Sequence, residues 1–181
     1  MTQISILSPT AILGYGFPEA SFREGLSRRP SAIAVDAGST DPGPYYLGAG
    51  QSFTNRDAVK RDLVPMIKAG LDLSIPVLIG TAGGSGAAAH LCWCLDIVQD
   101  VLLDLNRSAR VASIVADQPA EEIMRALADG RISPLGPVKP LTEKDINDST
   151  CIVAQMGVEP VISALNQGAD IIVAGRCYDP A

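Results

Sequence analysis

Short runs of consecutive apolar residues recur along this chain, separated by stretches with helical spacing, and this alternation limits the fold most strongly. The runs occupy residues 4–7, 32–35, 76–79, 111–116, 151–154 and 171–174. Parallel strands that are covered on both faces are apolar throughout, whereas half-exposed strands alternate with polar residues. The runs therefore predict an α/β fold with a doubly wound, mostly parallel sheet of about six strands and helices on both faces.

The intervening segments predict the helices of this fold. They cover residues 21–26, 56–71, 85–105, 120–128, 142–148 and 160–166. Residues 40–53 and 132–141 break the rhythm and are predicted as a long loop and an extended connector, respectively. With 181 residues, the chain is long enough for one α/β domain with a substantial core.

Composition excludes several classes of partner and location. Twenty acidic against 14 basic residues give a net charge of −6, and aromatic residues make up 4% of the chain. Nucleic acids and anionic membranes are therefore poor electrostatic partners, and a base-stacking surface is not expected. The N-terminus lacks a basic region followed by an apolar core, no apolar run approaches a membrane span, and the four cysteines suit reduced thiols. We therefore expect a cytoplasmic protein.

The loops that follow the strands carry the candidate site, because ligands of open parallel sheets bind beyond the carboxyl ends of the strands. Residues 80–86 read GTAGGSG and lead from a predicted strand into a helix. Small side chains and free N–H groups at a helix start suit a phosphate or carboxylate. The predicted anion-binding residues here are Thr81, Gly83, Gly84, Ser85 and Gly86. The alternative is a tight turn that packs the helix on the strand.

Two aspartates follow the second predicted strand. A carboxylate at the end of a buried strand is costly unless it is paired, hydrogen-bonded or bound to a metal. Asp36 is therefore a candidate catalytic residue, and Asp36 and Asp41 together are candidate ligands of a divalent cation such as Mg²⁺. The alternatives are that Asp41 belongs to a turn with Pro42 and Gly43, and that Asp36 caps nearby N–H groups.

The last loop and the single histidine complete the candidate set. Arg176 can clamp a carboxylate, while Asp179 can pair with that arginine, bind a metal or act in catalysis. Cys177 is a nucleophile only if a base lies nearby. His90 is a candidate acid–base close to the glycine-rich loop, or a packing residue. Asp117 is most simply the cap of the helix that begins at residue 120.

Several of these stretches together resemble the acyclic terpene utilisation (AtuA-like) family. The matching segments are LGYGFPEASF, VDAGSTDPGPYYLG, IGTAGGSGAAAH, MGVEP and GADIIVAGRCYDPA. The resemblance implies an intracellular bacterial protein linked to the breakdown of small branched or carboxylated compounds, and it carries over no catalytic residue. Members of this family are longer, so residues 1–181 are expected to form a single α/β domain, the N-terminal part of a longer architecture. A homo-oligomer or a partner chain is then expected to cover apolar surface left exposed.

The leading functional hypothesis is a lyase- or hydratase-like domain that acts on a small carboxylate or acyl thioester. The glycine-rich loop and Arg176 hold the anionic group, Asp36 with Asp41 or Asp179 binds a cation or moves protons, and His90 is the acid–base. The alternative is a non-catalytic domain that binds a small molecule or nucleotide, or serves as an assembly subunit.

Overall fold

A computed structural model describes residues 4–177, which form one five-stranded, all-parallel sheet with helices packed against it. The strands are β1 (Ile6–Leu7), β2 (Ala32–Gly38), β3 (Val77–Gly84), β4 (Val111–Ile114) and β5 (Ile171–Ala174). The helices are α1 (Glu19–Ser27), α2 (Tyr45–Ala49), α3 (Arg56–Leu73), α4 (Ala88–Asp104), α5 (Ala120–Ala128), α6 (Glu143–Asp148) and α7 (Glu159–Asn166). The strand order is β1-β2-β3-β5-β4. The α/β class and the parallel sheet are confirmed, whereas this order does not confirm a doubly wound arrangement.

The predicted strand at residues 151–154 is wrong, and the sheet has five strands rather than about six. Within that segment Val153 makes a single antiparallel bridge to Asp117, just beyond the end of β4. The segment therefore crosses the carboxyl edge of the sheet against the strand direction and does not extend the parallel ladder. A short apolar run alone does not distinguish a strand from such a crossing.

Most of the core lies on one face of the sheet. Ile33, Ile79 and Val173 project from β2, β3 and β5 into a single cluster with buried residues of α3 and α4. Helix α3 begins at Arg56 because the Asn55 side chain accepts hydrogen bonds from the N–H groups of residues 57 and 58. Apolar side chains at helical spacing along α3 and α4 then close this face.

The opposite face is covered unevenly. Helix α7 packs on β4 and β5, where Ile172 and Ala164 form a second, smaller cluster. Over the β1 side of this face, Ile6 is 64% exposed and Asp36 is also exposed. An open apolar hollow consequently lies between α7 and the first half of the sheet.

The loop after β1 is pinned to α3 by Asp62, a buried carboxylate. Its Oδ2 accepts hydrogen bonds from the N–H groups of Gly14 at 2.8 Å and Gly16 at 2.9 Å. The neighbouring Arg61 donates to Oδ1 from its Nε at 3.0 Å but is itself largely exposed. The carboxylate therefore holds the first strand-end loop in position.

We expect Asp62→Ala to lower the free energy of unfolding by about 2–3 kcal/mol, because two N–H donors lose a charged acceptor. Chemical denaturation measures this loss. Arg131→Ala, at an ion pair whose side chains are 64% and 61% exposed, is the control and should cost less than about 1 kcal/mol. Equal losses in the two variants would contradict the role given to Asp62.

Two further features concern membrane-spanning helices and the cysteines. No helix among the described residues is long and apolar enough to cross a membrane. Cys92, Cys94, Cys151 and Cys177 are all free thiols.

Candidate functional site

The carboxyl ends of β2, β3 and β5 converge closely enough to exclude side chains at their contacts. A Cβ on Gly38 would lie 2.6 Å from the carbonyl oxygen of Gly84, and one on Gly175 would lie 2.6 Å from that of Gly86. The Ser39 N–H donates to Gly84 O at 3.2 Å. This edge of the sheet is therefore a tightly packed platform rather than a set of separate loops.

The glycine-rich stretch forms part of this platform. Strand β3 continues through Gly84, and α4 begins at Ala88 rather than at residue 85. Gly86 has a φ of +76°, and a Cβ there would lie 2.6 Å from Thr81 Cγ2 and 2.7 Å from Arg176 Cα. A Cβ on Gly83 would likewise lie too close to His90, and a Cβ on Gly84 too close to Phe53. These glycines thus serve the close packing of strand on helix, and anion binding by their main chain stays a prediction.

Ser85 and Arg176 lie together at Gly86, and both are buried although their side chains are polar. Each is only 8% exposed. Neither the Ser85 hydroxyl nor the Arg176 guanidinium is among the buried polar atoms that lack a partner in residues 4–177. The charges of Arg176 and Asp36 both act on the Cys177 thiol. The Arg176 N–H donates to Gly86 O at 3.2 Å, which places the two residues side by side. An arginine at the end of a strand suits an anionic ligand, because its guanidinium offers paired donors to a carboxylate.

Asp36 and Cys177 lie together on the less covered face of the sheet. Asp36 is exposed, so the expectation of a carboxylate at the end of a buried strand is wrong; α7 reaches only the other half of this face. The N–H of Gly38 donates to its Oδ1 at 2.9 Å, as the local-cap alternative predicts. Its role as a catalytic residue stays a prediction.

The Cys177 thiol is held in its neutral form. Burial raises its pKa first and the negative charge of Asp36 raises it further, while Arg176 acts in the opposite direction. The main-chain N–H of Cys177 donates to Thr81 Oγ1 at 3.1 Å. Cys177 therefore keeps its proton near neutral pH and is a poor thiolate nucleophile.

A cavity of about 480 Å³ opens beside these two residues. Its polar end is formed by Ser8, Asp36, Thr81 and Cys177, and its other walls are apolar. The apolar lining comes from the sheet and from α7, namely Ala34, Leu78, Ile172, Ala174, Val158, Val161 and Ile162. Its size and lining suit a small ligand with an apolar chain and one polar end.

Asp41 lies away from this cavity, in an exposed turn. Its N–H is bonded to Ser39 Oγ at 3.1 Å, and the N–H of Gly43 donates to Thr40 O at 3.0 Å, which closes the turn. No group of three or more potential metal-ligating side chains occurs in the described part of the chain. The assignment of Asp36 and Asp41 as Mg²⁺ ligands stays a prediction.

His90 is buried and holds the α2 segment in place. Its Nε2 lies 3.0 Å from Tyr46 O and 3.1 Å from Gln51 O. Both partners are carbonyl oxygens, so Nε2 carries the hydrogen. Nδ1 is buried and has no partner among residues 4–177. The ring thus holds the α2 segment over the start of α4. Its acid–base role stays a prediction.

Asp117 is a polar group that the sequence did not single out for the site. The expectation that it caps α5 is wrong, because Pro119 occupies the cap position and no side chain caps that helix. Instead, Asp117 Oδ2 is buried without a hydrogen-bond partner in the described residues. In the sequence, Asp117 could have been identified as a site candidate by its position directly after a strand. Asp36 and Arg176 share this position. Asp179, the other acidic candidate, lies outside the described residues.

Comparison with known proteins assigns the chain to a family. Residues 57–181, more than half of the 181 residues, match the family described as "Acyclic terpene utilisation family protein AtuA". No curated protein and no solved structure matches the chain. The segment that matches contains Ser85, Asp117, Arg176 and Cys177. The chain therefore belongs to the acyclic terpene utilisation family AtuA.

Proposed function

We propose that this chain is a cytoplasmic catabolic enzyme domain of the lyase or hydratase type, acting on a small branched carboxylate or acyl thioester. The observation that carries the proposal is the pair Ser85 and Arg176, two polar residues that are each only 8% exposed and lie on either side of the contact between Gly86 and Arg176 at the strand ends. An anionic head group supplies the acceptors that both side chains need. The family description, acyclic terpene utilisation, supports a branched apolar substrate.

The neighbouring cavity suits the apolar part of such a substrate. Its volume of about 480 Å³ and its wall of Leu78, Ile172, Val161 and Ile162 favour a short branched chain over a polar one. Cys177 lines this cavity and lies next to Arg176 in the chain. In this proposal the apolar chain of the substrate lies in the cavity, and its head group extends past Cys177 towards Arg176.

In this proposal the residues around the cavity divide the chemistry between them. Arg176 and Ser85 hold the carboxylate or thioester oxygen and stabilise negative charge that develops on it. Asp36, at the polar end of the cavity, accepts a proton from the substrate or from water. The neutral Cys177 thiol lines the same cavity and lies within the electrostatic reach of Asp36. His90 positions the segment that covers the start of α4.

Turnover of 3-methylbut-2-enoyl coenzyme A, a branched unsaturated thioester, tests this function. We expect the protein to hydrate the double bond, measured as loss of the enoyl absorbance. Asp36→Asn should lower kcat by about 100-fold or more, as removal of a general base does. Asp129→Asn, at an exposed surface ion pair, is the control and should leave the rate unchanged. Equal rates for Asp36→Asn and the wild type would contradict the role of Asp36.

The alternative function is a non-catalytic binding or assembly subunit, which the uncovered part of the sheet favours. Ile4 is 76% exposed and Ile6 is 64% exposed at this edge, so a homo-oligomer or a partner chain is expected to cover them. Tight binding of a branched carboxylate by the wild type without any turnover would favour this alternative. An Asp36→Ala variant that binds normally but turns nothing over would favour the enzyme.

A further inference from the structure

Strand β2 sets the length of the cavity floor. Successive side chains project from opposite faces of a strand. Ile33 and Val35 belong to the core on one face, so Ala34 and Asp36 project from the other face, where both line the cavity. About 7 Å of strand separates these two residues, which is the span of an extended chain of about six carbons. An apolar chain that starts beside Asp36 and runs back along β2 therefore reaches Ala34.

The strands beside β2 make Ala34 the lowest point of this floor. Parallel pairing places Leu78 of β3 beside Ala34, and Ile172 of β5 beside Leu78. Leu78 packs against the small cluster that contains Ile172. All three residues line the cavity, and alanine has the smallest side chain of the three. The missing volume at Ala34 thus lengthens the cavity on the β2 side.

Helix α7 lines the cavity with apolar side chains without filling it. Val158, Val161 and Ile162 lie three or four residues apart on one stripe and form the wall opposite the sheet. Val158 is nevertheless 42% exposed and Ile162 is 49% exposed. Apolar side chains that line an unfilled space on two sides favour an apolar occupant.

The cavity is open beyond Ala34. Helix α7 packs on β4 and β5, on the other half of the sheet. Ile6 of β1, the neighbour of β2, is 64% exposed. A chain longer than the distance from Asp36 to Ala34 can therefore continue over Ala34 toward β1.

We propose that Ala34 determines the chain length that the cavity accepts, because its small side chain lets carbons beyond about the sixth pass over β2. This inference rests on the proposed function in placing the apolar chain of the substrate in the cavity. It deepens that function by naming the substrate class, molecules with an acyl chain of about eight carbons, and a specificity-determining residue.

Calorimetric titration with butanoate, hexanoate and octanoate tests the inference. The affinity of the wild type should rise about fourfold for each added methylene group up to octanoate. Ala34→Leu should lower the affinity for octanoate by about tenfold to 20-fold, because the last two methylene groups lose their burial. The same variant should bind butanoate as the wild type does, since that chain ends before Ala34. Ala128→Leu, at the exposed end of α5, is the control and should bind all three acids normally.

Ala34→Val provides a second measurement with a smaller change in volume. Valine is well tolerated in strands, and its loss of affinity for octanoate should lie between those of the wild type and Ala34→Leu. Unchanged octanoate binding by both variants, or an equal loss for all three acids, would overturn the inference.

Titration with 1-octanol, which has the chain but no charge, separates this inference from the proposed function. Octanol binding that Ala34→Leu weakens, without binding of any carboxylate, would contradict the anionic head group and leave the role of Ala34 standing. Failure of the wild type to bind octanoate and octanol would overturn both.

Discussion

Gly86→Ala is expected to destabilise the protein by about 3–5 kcal/mol, because a methyl group has no room at the platform and the residue has a left-handed conformation. Its Cβ would lie 2.6 Å from Thr81 Cγ2 and 2.7 Å from Arg176 Cα. The second of these atoms belongs to the main chain of a buried strand end, which cannot move aside as a flexible side chain does. A thermal melt should show a decrease in Tm of about 10 °C for a chain of this size.

Gly43→Ala separates steric conflict from backbone strain in this experiment. Gly43 also has a positive φ, +79°, but nothing lies within 4 Å of the position of its Cβ. Its substitution should therefore lower the free energy of unfolding by only about 1 kcal/mol, because only the left-handed conformation is unfavourable for alanine. Similar losses of stability in Gly86→Ala and Gly43→Ala would show that the strand ends do not pack closely around Gly86.

Arg176→Met is expected to weaken carboxylate binding strongly while raising the stability of the free protein. Methionine replaces the apolar stem of the arginine and removes a charge from a residue that is only 8% exposed. Substitution of a buried charge by an apolar group of similar volume often stabilises by about 1 kcal/mol or more. The affinity for 3-methylbutanoate should fall by about 100-fold, since charge-assisted hydrogen bonds to its carboxylate are lost.

Thermal melts with and without 3-methylbutanoate measure both effects. The wild type should gain stability as the ligand concentration rises, and Arg176→Met should start from a higher Tm and gain almost nothing. Arg131→Met, at a side chain that is 64% exposed, is the control and should respond as the wild type does. A strongly destabilised Arg176→Met variant would show instead that the arginine belongs to a structural ion pair.

The central strands could be predicted from sequence because their environment is uniform. Residues around Ile33, Ile79 and Val173 are apolar without interruption, as burial on both faces requires. The segment at 151–154 has the same local pattern but is held across the strand ends by contacts with Ala116 and Gln118. Helix α2 was missed because its five residues lie in a stretch rich in glycine and proline, and it is anchored by His90 from another element.

The candidate site could be predicted only in part, because the surroundings of its residues depend on contacts between segments that are distant in sequence. Arg176 and Ser85 were both identified from their positions after strands, yet their burial and their proximity at Gly86 depend on which strand ends the fold brings together. Asp36 was expected to be buried, and its exposure follows from the position of α7, which no local pattern specifies. Asp117 was interpreted as a helix cap because its burial arises from the crossing segment, more than thirty residues later in the chain.

The most direct test of the account is whether an anion contacts the Arg176 guanidinium. Proton–nitrogen correlation spectra of the arginine Nε–H groups, with the Arg176 signal assigned by its absence in Arg176→Met, report this contact. Addition of 3-methylbutanoate should shift the Arg176 Nε–H signal and leave those of exposed arginines such as Arg131 unchanged. An Arg176 signal that does not move at ligand concentrations that saturate binding would contradict the account.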